Sequence, residues 1–143
     1  MARLIEDEAG IAALVKGLKR IAVLGIKTEA QANQPAFSVP EYVQGEGIEV
    51  VPVPVYYPEV TQILGEQVYR TISAIPGDLD LVEVFRRPQD IDRHVDDLIA
   101  KKPKAVWFQL GIRNDAAAKR LVEAGIDVVQ DRCLLVEHQR YAR

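Results

Sequence analysis

The stretch AVWFQLGIRNDAAAKRLVEAGIDVVQ, Ala105 to Gln130, decides the fold class. It opens on an apolar run from Ala105 to Gln109 and leaves it through a loop at Gly111. It then enters a helical segment that begins on a capping residue, Asn114, and stops at Gly125. A second apolar run, Asp127 to Gln130, follows at once. A strand, a covering helix and a second strand form a crossover unit, which sets its two strands parallel. Neither run alternates with polar residues, as expected of strands buried on both faces.

The same alternation runs back along the chain. Further strands are expected at Arg20 to Gly25, Glu49 to Val53 and Asp80 to Phe85. PQDIDRHVDDLIAKK forms a covering helix with Ile91, Val95, Leu98 and Ile99 on one face. At the amino terminus, residues 1–18 make an amphipathic helix, with Asp7 as its cap and Ile11, Leu14, Val15 and Leu18 inward. The whole is a single domain over residues 1–143, of α/β class. It is a three-layer, Rossmann-like, doubly wound parallel sheet of five to six strands. The region Pro54 to Pro76 keeps neither period and is expected to be a surface excursion with a short edge strand around Gln67 to Tyr69. Pro52 and Pro54 share parity, so the second strand must lack amide hydrogens on one side near its end. Ser38 and Glu41 have capping-box spacing, which predicts a first crossover helix from Ser38. Pro35 is the alternative start, but it would leave Pro40 inside the helix at a cost of roughly 3 kcal/mol.

Composition narrows the function. The chain has 143 residues, 48% hydrophobic, with net charge −3 and its charges interspersed. No basic stripe is available for nucleic acid. One cysteine, Cys133, excludes an intramolecular disulfide framework and a zinc site of several thiolates, and points to a reducing, cytoplasmic setting. No stretch reads as a secretory leader or a membrane span, and no metal site is expected.

In an open parallel sheet a ligand lies at the carboxyl ends of the strands. The residues there are Gly25 to Thr28, Val53 to Val55, Phe85 to Pro88 and Gln109 to Arg113. After Gly25 the next glycine is Gly45, and VPVPVYY offers no acid for a ribose diol, so the dinucleotide fingerprint is missing. So are a triphosphate loop and a serine elbow. What remains is phosphate chemistry of another kind. Lys27 and Thr28 bring a cation and a hydroxyl to the first loop, and Arg86 and Arg87 project from a neighbouring strand end, beside an apolar wall at Phe85. The competing reading of the arginines is salt bridging to Asp90 or Glu83. Cys133 is either a nucleophile paired with His138 or simply a small buried residue. His94, among acids on a helix, reads as a solvated flank, and Trp107 as core.

With these residues in view, the chain resembles the CoA-binding domain family, small Rossmann-like proteins similar to the amino-terminal domain of the succinyl-CoA synthetase alpha subunit. The resemblance runs from Lys19 onward. It rests on IAVLGI, GIEVVPVPV, ILGEQVYRTISAIP, DLVEVFRRP, KAVWFQLGIRNDAAAKRLVEAGIDVVQDRC and the trailing EH. It implies strand order 3-2-1-4-5 with coenzyme A or an acyl-CoA across the carboxyl edge. Gly25, Ile26, Lys27 and Thr28 would face the phosphates, and Val53, Pro54 and Val55 would border the nucleotide. Phe85, Arg86 and Arg87 would flank the adenine and its phosphates, with Gln109 and Gly111 close by. Relatives commonly carry a serine in the first loop and an asparagine followed by proline after the second strand, where this chain has Lys27 with Thr28 and Pro54 with Val55. The synthetase's phosphohistidine segment lies in a second domain, so ligase activity does not transfer. The expectation is a CoA-binding module without an identifiable catalytic constellation. An enzyme or redox-sensitive thiol protein using Cys133, and a binder of NAD(P) or another adenine nucleotide, stand as alternatives.

Overall fold

Alternate residues of five short strands feed two separate cores, and this produces the layers. The computed structural model describes residues 1–143. Its elements are α1 (Glu8–Lys16), β1 (Arg20–Leu24), α2 (Pro35–Gly45), β2 (Glu49–Val53), β3 (Gln62–Ile63), β4 (Glu66–Gln67), β5 (Leu81–Val84), α3 (Val95–Lys101), β6 (Ala105–Phe108), α4 (Asp115–Glu123), β7 (Asp127–Val129) and α5 (Leu134–Tyr141). On one face Ala22, Leu24, Val82, Val84, Val106 and Phe108 pack against Val95 and Leu98 of α3 and Leu121 of α4. On the other, Ile21, Val23, Leu81 and Trp107 meet Ile11 and Val15 of α1, Phe37 and Val43 of α2, and Leu134 of α5. Asp7 caps α1 by accepting the Gly10 N–H at 2.9 Å, and Asn114 caps α4 from the Ala117 N–H at 3.0 Å. No helix is long and apolar enough to cross a membrane.

All five strands are parallel, in the order β2-β1-β5-β6-β7. Counted among themselves this is 2-1-3-4-5, which corrects the expected 3-2-1-4-5. The place outside β2 belongs to the excursion after it, but that segment forms no ladder. β3 and β4 pair with each other, and one backbone bond, Tyr69 N–H to the Pro52 carbonyl at 3.0 Å, ties the segment to the sheet. The reason is local: Pro52 has no N–H to return, so reciprocal bonding stops after one contact. At the opposite edge Leu4 bridges Val128 in parallel and covers β7.

The first crossover helix also departs from expectation. It starts at Pro35 and carries Pro40 inside it. Pro40 cannot donate to the carbonyl four residues earlier, that of Ala36. The structure gives that carbonyl another donor, the Lys27 N–H at 3.1 Å. The bond lost to the helix thus becomes the bond that fastens the loop after β1.

Candidate functional site

From β1 the chain turns one way to β2 and later returns to place β5 on the other side of β1, so the strand order reverses between β1 and β5. Gly25 sits at this reversal with φ +85°, and a Cβ there would lie 2.3 Å from the Phe85 carbonyl oxygen. Glycine is required because the two strand ends touch. Its N–H donates to the Val53 carbonyl at 2.8 Å. Beyond this junction opens a cleft of about 610 Å³ lined by fifteen residues. Three of them are cations, Lys27, Arg86 and Arg87, and none is an acid.

Each cation is held differently. Lys27 is fixed through its backbone to Ala36, and its Nζ donates to Gln34 Oε1 at the start of α2. The first turn of α2 forms one wall through Gln34, Pro35, Ala36, Ser38 and Val39. Pro35 has no N–H, and the Phe37 and Ser38 N–H groups fold back onto the Gln34 carbonyl, leaving that of Ala36 unpaired. Arg86 is only 7% exposed. Its Nε–H donates to His94 Nε2 at 3.2 Å, a terminal nitrogen stands 4.0 Å from Asp90, and its guanidinium lies 5.7 Å from the ring centre of the exposed Tyr56. Arg87 is open to solvent and donates to Asp90 at 2.8 Å, and Arg93 reaches the same carboxylate at 3.4 Å. The Arg87 bond, with the three guanidinium charges, holds the Asp90 carboxyl below its usual range. Burial, then the Arg86 charge, pushes the His94 imidazole below its ordinary value. A neutral ring there can accept from Arg86. The Arg86 guanidinium beside Tyr56 likewise holds its phenol below the ordinary value.

The far end of the cleft is made by Gln109 to Ile112 after β6 and by Cys133 before α5. Gly111, at φ +86°, donates its N–H to Asp131 at 2.6 Å. Gln109 is 5% exposed, and its Oε1 accepts the Leu134 N–H at 3.3 Å. Cys133 makes no bond to His138, whose Nδ1 lies 2.9 Å from the Tyr42 hydroxyl.

Of the residues expected from sequence, Lys27, Phe85, Arg86, Arg87, Gln109 and Gly111 come together in this cleft. Six others do not line it. Gly25 forms the junction beneath it, and Ile26 is buried in the core. The Thr28 hydroxyl is taken up by Gln31 Oε1 at 2.8 Å, heading a short turn over Glu29–Gln31. Val53 and Pro54 are buried, while Val55 packs against the α3/α4 core. From that loop only Tyr56 reaches the arginines. His94, expected on a solvated flank, is instead half-buried against Arg86. The wall from α2 was missed because its start was placed at Ser38, although the Gln34-Pro35 pair carries the mark of an N1 proline. No cluster of three metal-ligating side chains exists.

The family model described as CoA binding domain matches residues 19–139. The chain belongs to the CoA-binding domain family. It is 29% identical over 132 residues to the uncharacterized protein YneT of Bacillus subtilis (strain 168), covering 92% of this chain and 94% of that one. A solved structure from Thermus thermophilus, cell-free ID.343, superposes with a TM-score of 0.86 at 36% identity, covering 95% and 99% of the two chains. The dinucleotide-forming acetyl-coenzyme A synthetase 1 of Ca. Korarchaeum cryptofilum shares the fold, with a TM-score of 0.64 at 16% identity over 77% of this chain and 25% of that one.

Proposed function

We propose that the protein binds coenzyme A or an acyl-CoA along the carboxyl edge of its sheet, as a binding module. The observation that carries this is the composition of the cleft: three cations and an unpaired helix-start N–H, with no carboxylate among fifteen lining residues. A diphosphate needs such a place, because guanidinium and ammonium groups offset its charge and a helix start adds a favourable dipole. Lys27 and Arg87 would meet the phosphates from either side, with Arg86 set behind. Phe85 and Pro88 give an apolar surface for the base. Binding of NAD has less support, since the end of β2 offers buried Val53 and Pro54 where an acid would hold the ribose.

Isothermal titration with CoA, NAD and ATP tests this reading. CoA should bind more tightly than the other two, and Lys27→Ala and Arg87→Ala should each weaken it. Absence of heat with millimolar CoA would overturn the reading.

A further inference from the structure

The end of the cleft away from the cations has its own chemistry. After β7 the chain turns at Asp131, with φ +58°, and Arg132 is clamped by Glu8 at 3.0 Å and Glu137 at 3.2 Å. The Arg132 carbonyl accepts the Trp107 indole N–H at 2.8 Å. These contacts fix Cys133, the only cysteine in the chain, in the cleft wall, partly exposed and without a hydrogen-bond partner. Beside it Gln109 is 95% buried, given its 5% exposure, and its orientation is determined. Because Oε1 accepts the Leu134 N–H, the amide NH₂ is turned the other way, where the chain supplies no acceptor. Gln109 lines the cleft, and its NH₂ is not among the fully buried polar atoms without a partner, so it keeps contact with solvent. A ligand carbonyl inside the cleft would take the place of water at this donor.

We infer that Cys133 exchanges disulfides with a pantetheine-type thiol lying in the cleft, guided by a hydrogen bond from Gln109 to an amide carbonyl of the arm. The inference rests on the CoA reading for the ligand's class and adds a covalent site to it. The spacing fits. Arg86 follows β5 and Cys133 follows β7, two strands away, while Lys27 follows β1, three away. At roughly 4.8 Å per strand these strand ends lie roughly 10–14 Å apart across the sheet. An arm with phosphate at one end, amides along its length and a thiol at the other matches that order of groups. Leu110 and Ile112 supply the apolar wall between.

The step is an exchange with the disulfide form of the ligand. The Cys133 thiolate attacks one ligand sulfur, the protein–ligand S–S bond forms and the ligand's own S–S bond breaks. The departing thiolate takes up the proton that Cys133 gave up. Cys133 is oxidised, one ligand thiol is released reduced, and no other oxidant enters.

Intact-mass spectrometry of the full chain, incubated with CoA disulfide or with bis(2-hydroxyethyl) disulfide, tests this. The expected result is a single CoA adduct on Cys133, removed by dithiothreitol and absent in Cys133→Ser. It should form on the order of 100-fold faster than the hydroxyethyl adduct at equal concentration, because the cleft holds the reacting arm in place. Gln109→Ala should slow the saturated exchange rate roughly tenfold, while leaving the concentration for half-saturation to the arginines. Equal rates for the two disulfides, or no CoA adduct, would overturn the proposal. Titration of reduced CoA into wild type and Cys133→Ser separates the two failures. Heat in both proteins with unselective exchange sinks the thiol site alone, whereas no heat in wild type sinks the CoA reading beneath it.

Discussion

Glu83 and Arg86 stand three residues apart at the end of β5, and both are more than nine-tenths buried, yet they meet opposite fates. The alternation of the strand sends them to opposite faces of the sheet. Arg86 finds His94, Asp90 and the Tyr56 ring, and still lines the cleft. Glu83, registered between Val23 and Trp107, finds nothing, and both carboxylate oxygens lack a partner. Burial pushes its carboxyl well above the ordinary value of 4.5. A buried charge persists where partners replace its water, and where they do not the group becomes neutral. The charge kept at this strand end is therefore the one that faces the cleft.

The largest effect expected from this contrast is on ligand affinity. Arg86→Ala should weaken CoA binding by about 3 kcal/mol, on the order of 100-fold, as for a desolvated charge that loses its partner. Glu83→Gln, on the far face, should leave the affinity within about twofold. Titration calorimetry on the two variants measures both, and equal losses would break the contrast.

Stability should respond the other way round. Glu83→Leu removes an unpartnered acid from an apolar setting and should stabilise the fold by about 2 kcal/mol near pH 8. The gain depends on pH, and its sign follows from proton counting. Above 4.5 the unfolded chain has released the Glu83 proton while the folded chain retains it. The contribution of this group to stability is full below that value. It then falls by about 1.4 kcal/mol per pH unit until the raised folded value is reached. Urea midpoints of wild type and Glu83→Leu from acid to mildly alkaline pH should therefore diverge as pH rises. Parallel curves would mean that Glu83 has found a partner.

How much of this was legible depends on range. The strands and the covering helices were readable because β-branched runs and helical periods are local, and Gly25 and the VFRRP strand end marked the carboxyl edge where a ligand would lie. The position of β5 beside β1 was not readable, since no residue of β5 encodes which edge of β1 it meets. The start of α2 was misread because the cost of Pro40 was counted locally. The Lys27 N–H that takes up the freed Ala36 carbonyl lies nine residues earlier in the chain, outside any helical pattern. In the same way Thr28 was given to the ligand although Gln31 holds its hydroxyl. Cys133 joined the cleft only once β7 was set two strands from β5.

The smallest effect tests how Arg86 is kept in place. His94 accepts from Arg86 through Nε2, so the ring must be neutral at that nitrogen. Burial and the Arg86 charge push its pKa below 6.5, which keeps it neutral at neutral pH. The stability it contributes is therefore present above 6.5 and is lost as pH falls toward the depressed folded value, opposite in sign to Glu83. Once protonated, His94 can no longer accept and instead repels Arg86, so affinity should fall with acid. His94→Ala should weaken CoA binding by about 1 kcal/mol, roughly fivefold, a modest figure because the ring is half exposed. His94→Gln keeps an acceptor without a titrating group and should restore most of the loss. The ligand's own phosphate also changes charge near pH 6, so the informative quantity is the wild-type to His94→Gln affinity ratio. That ratio should decline between about pH 7 and about pH 5. A constant ratio would mean that Asp90 and Tyr56 hold Arg86 without help from the ring.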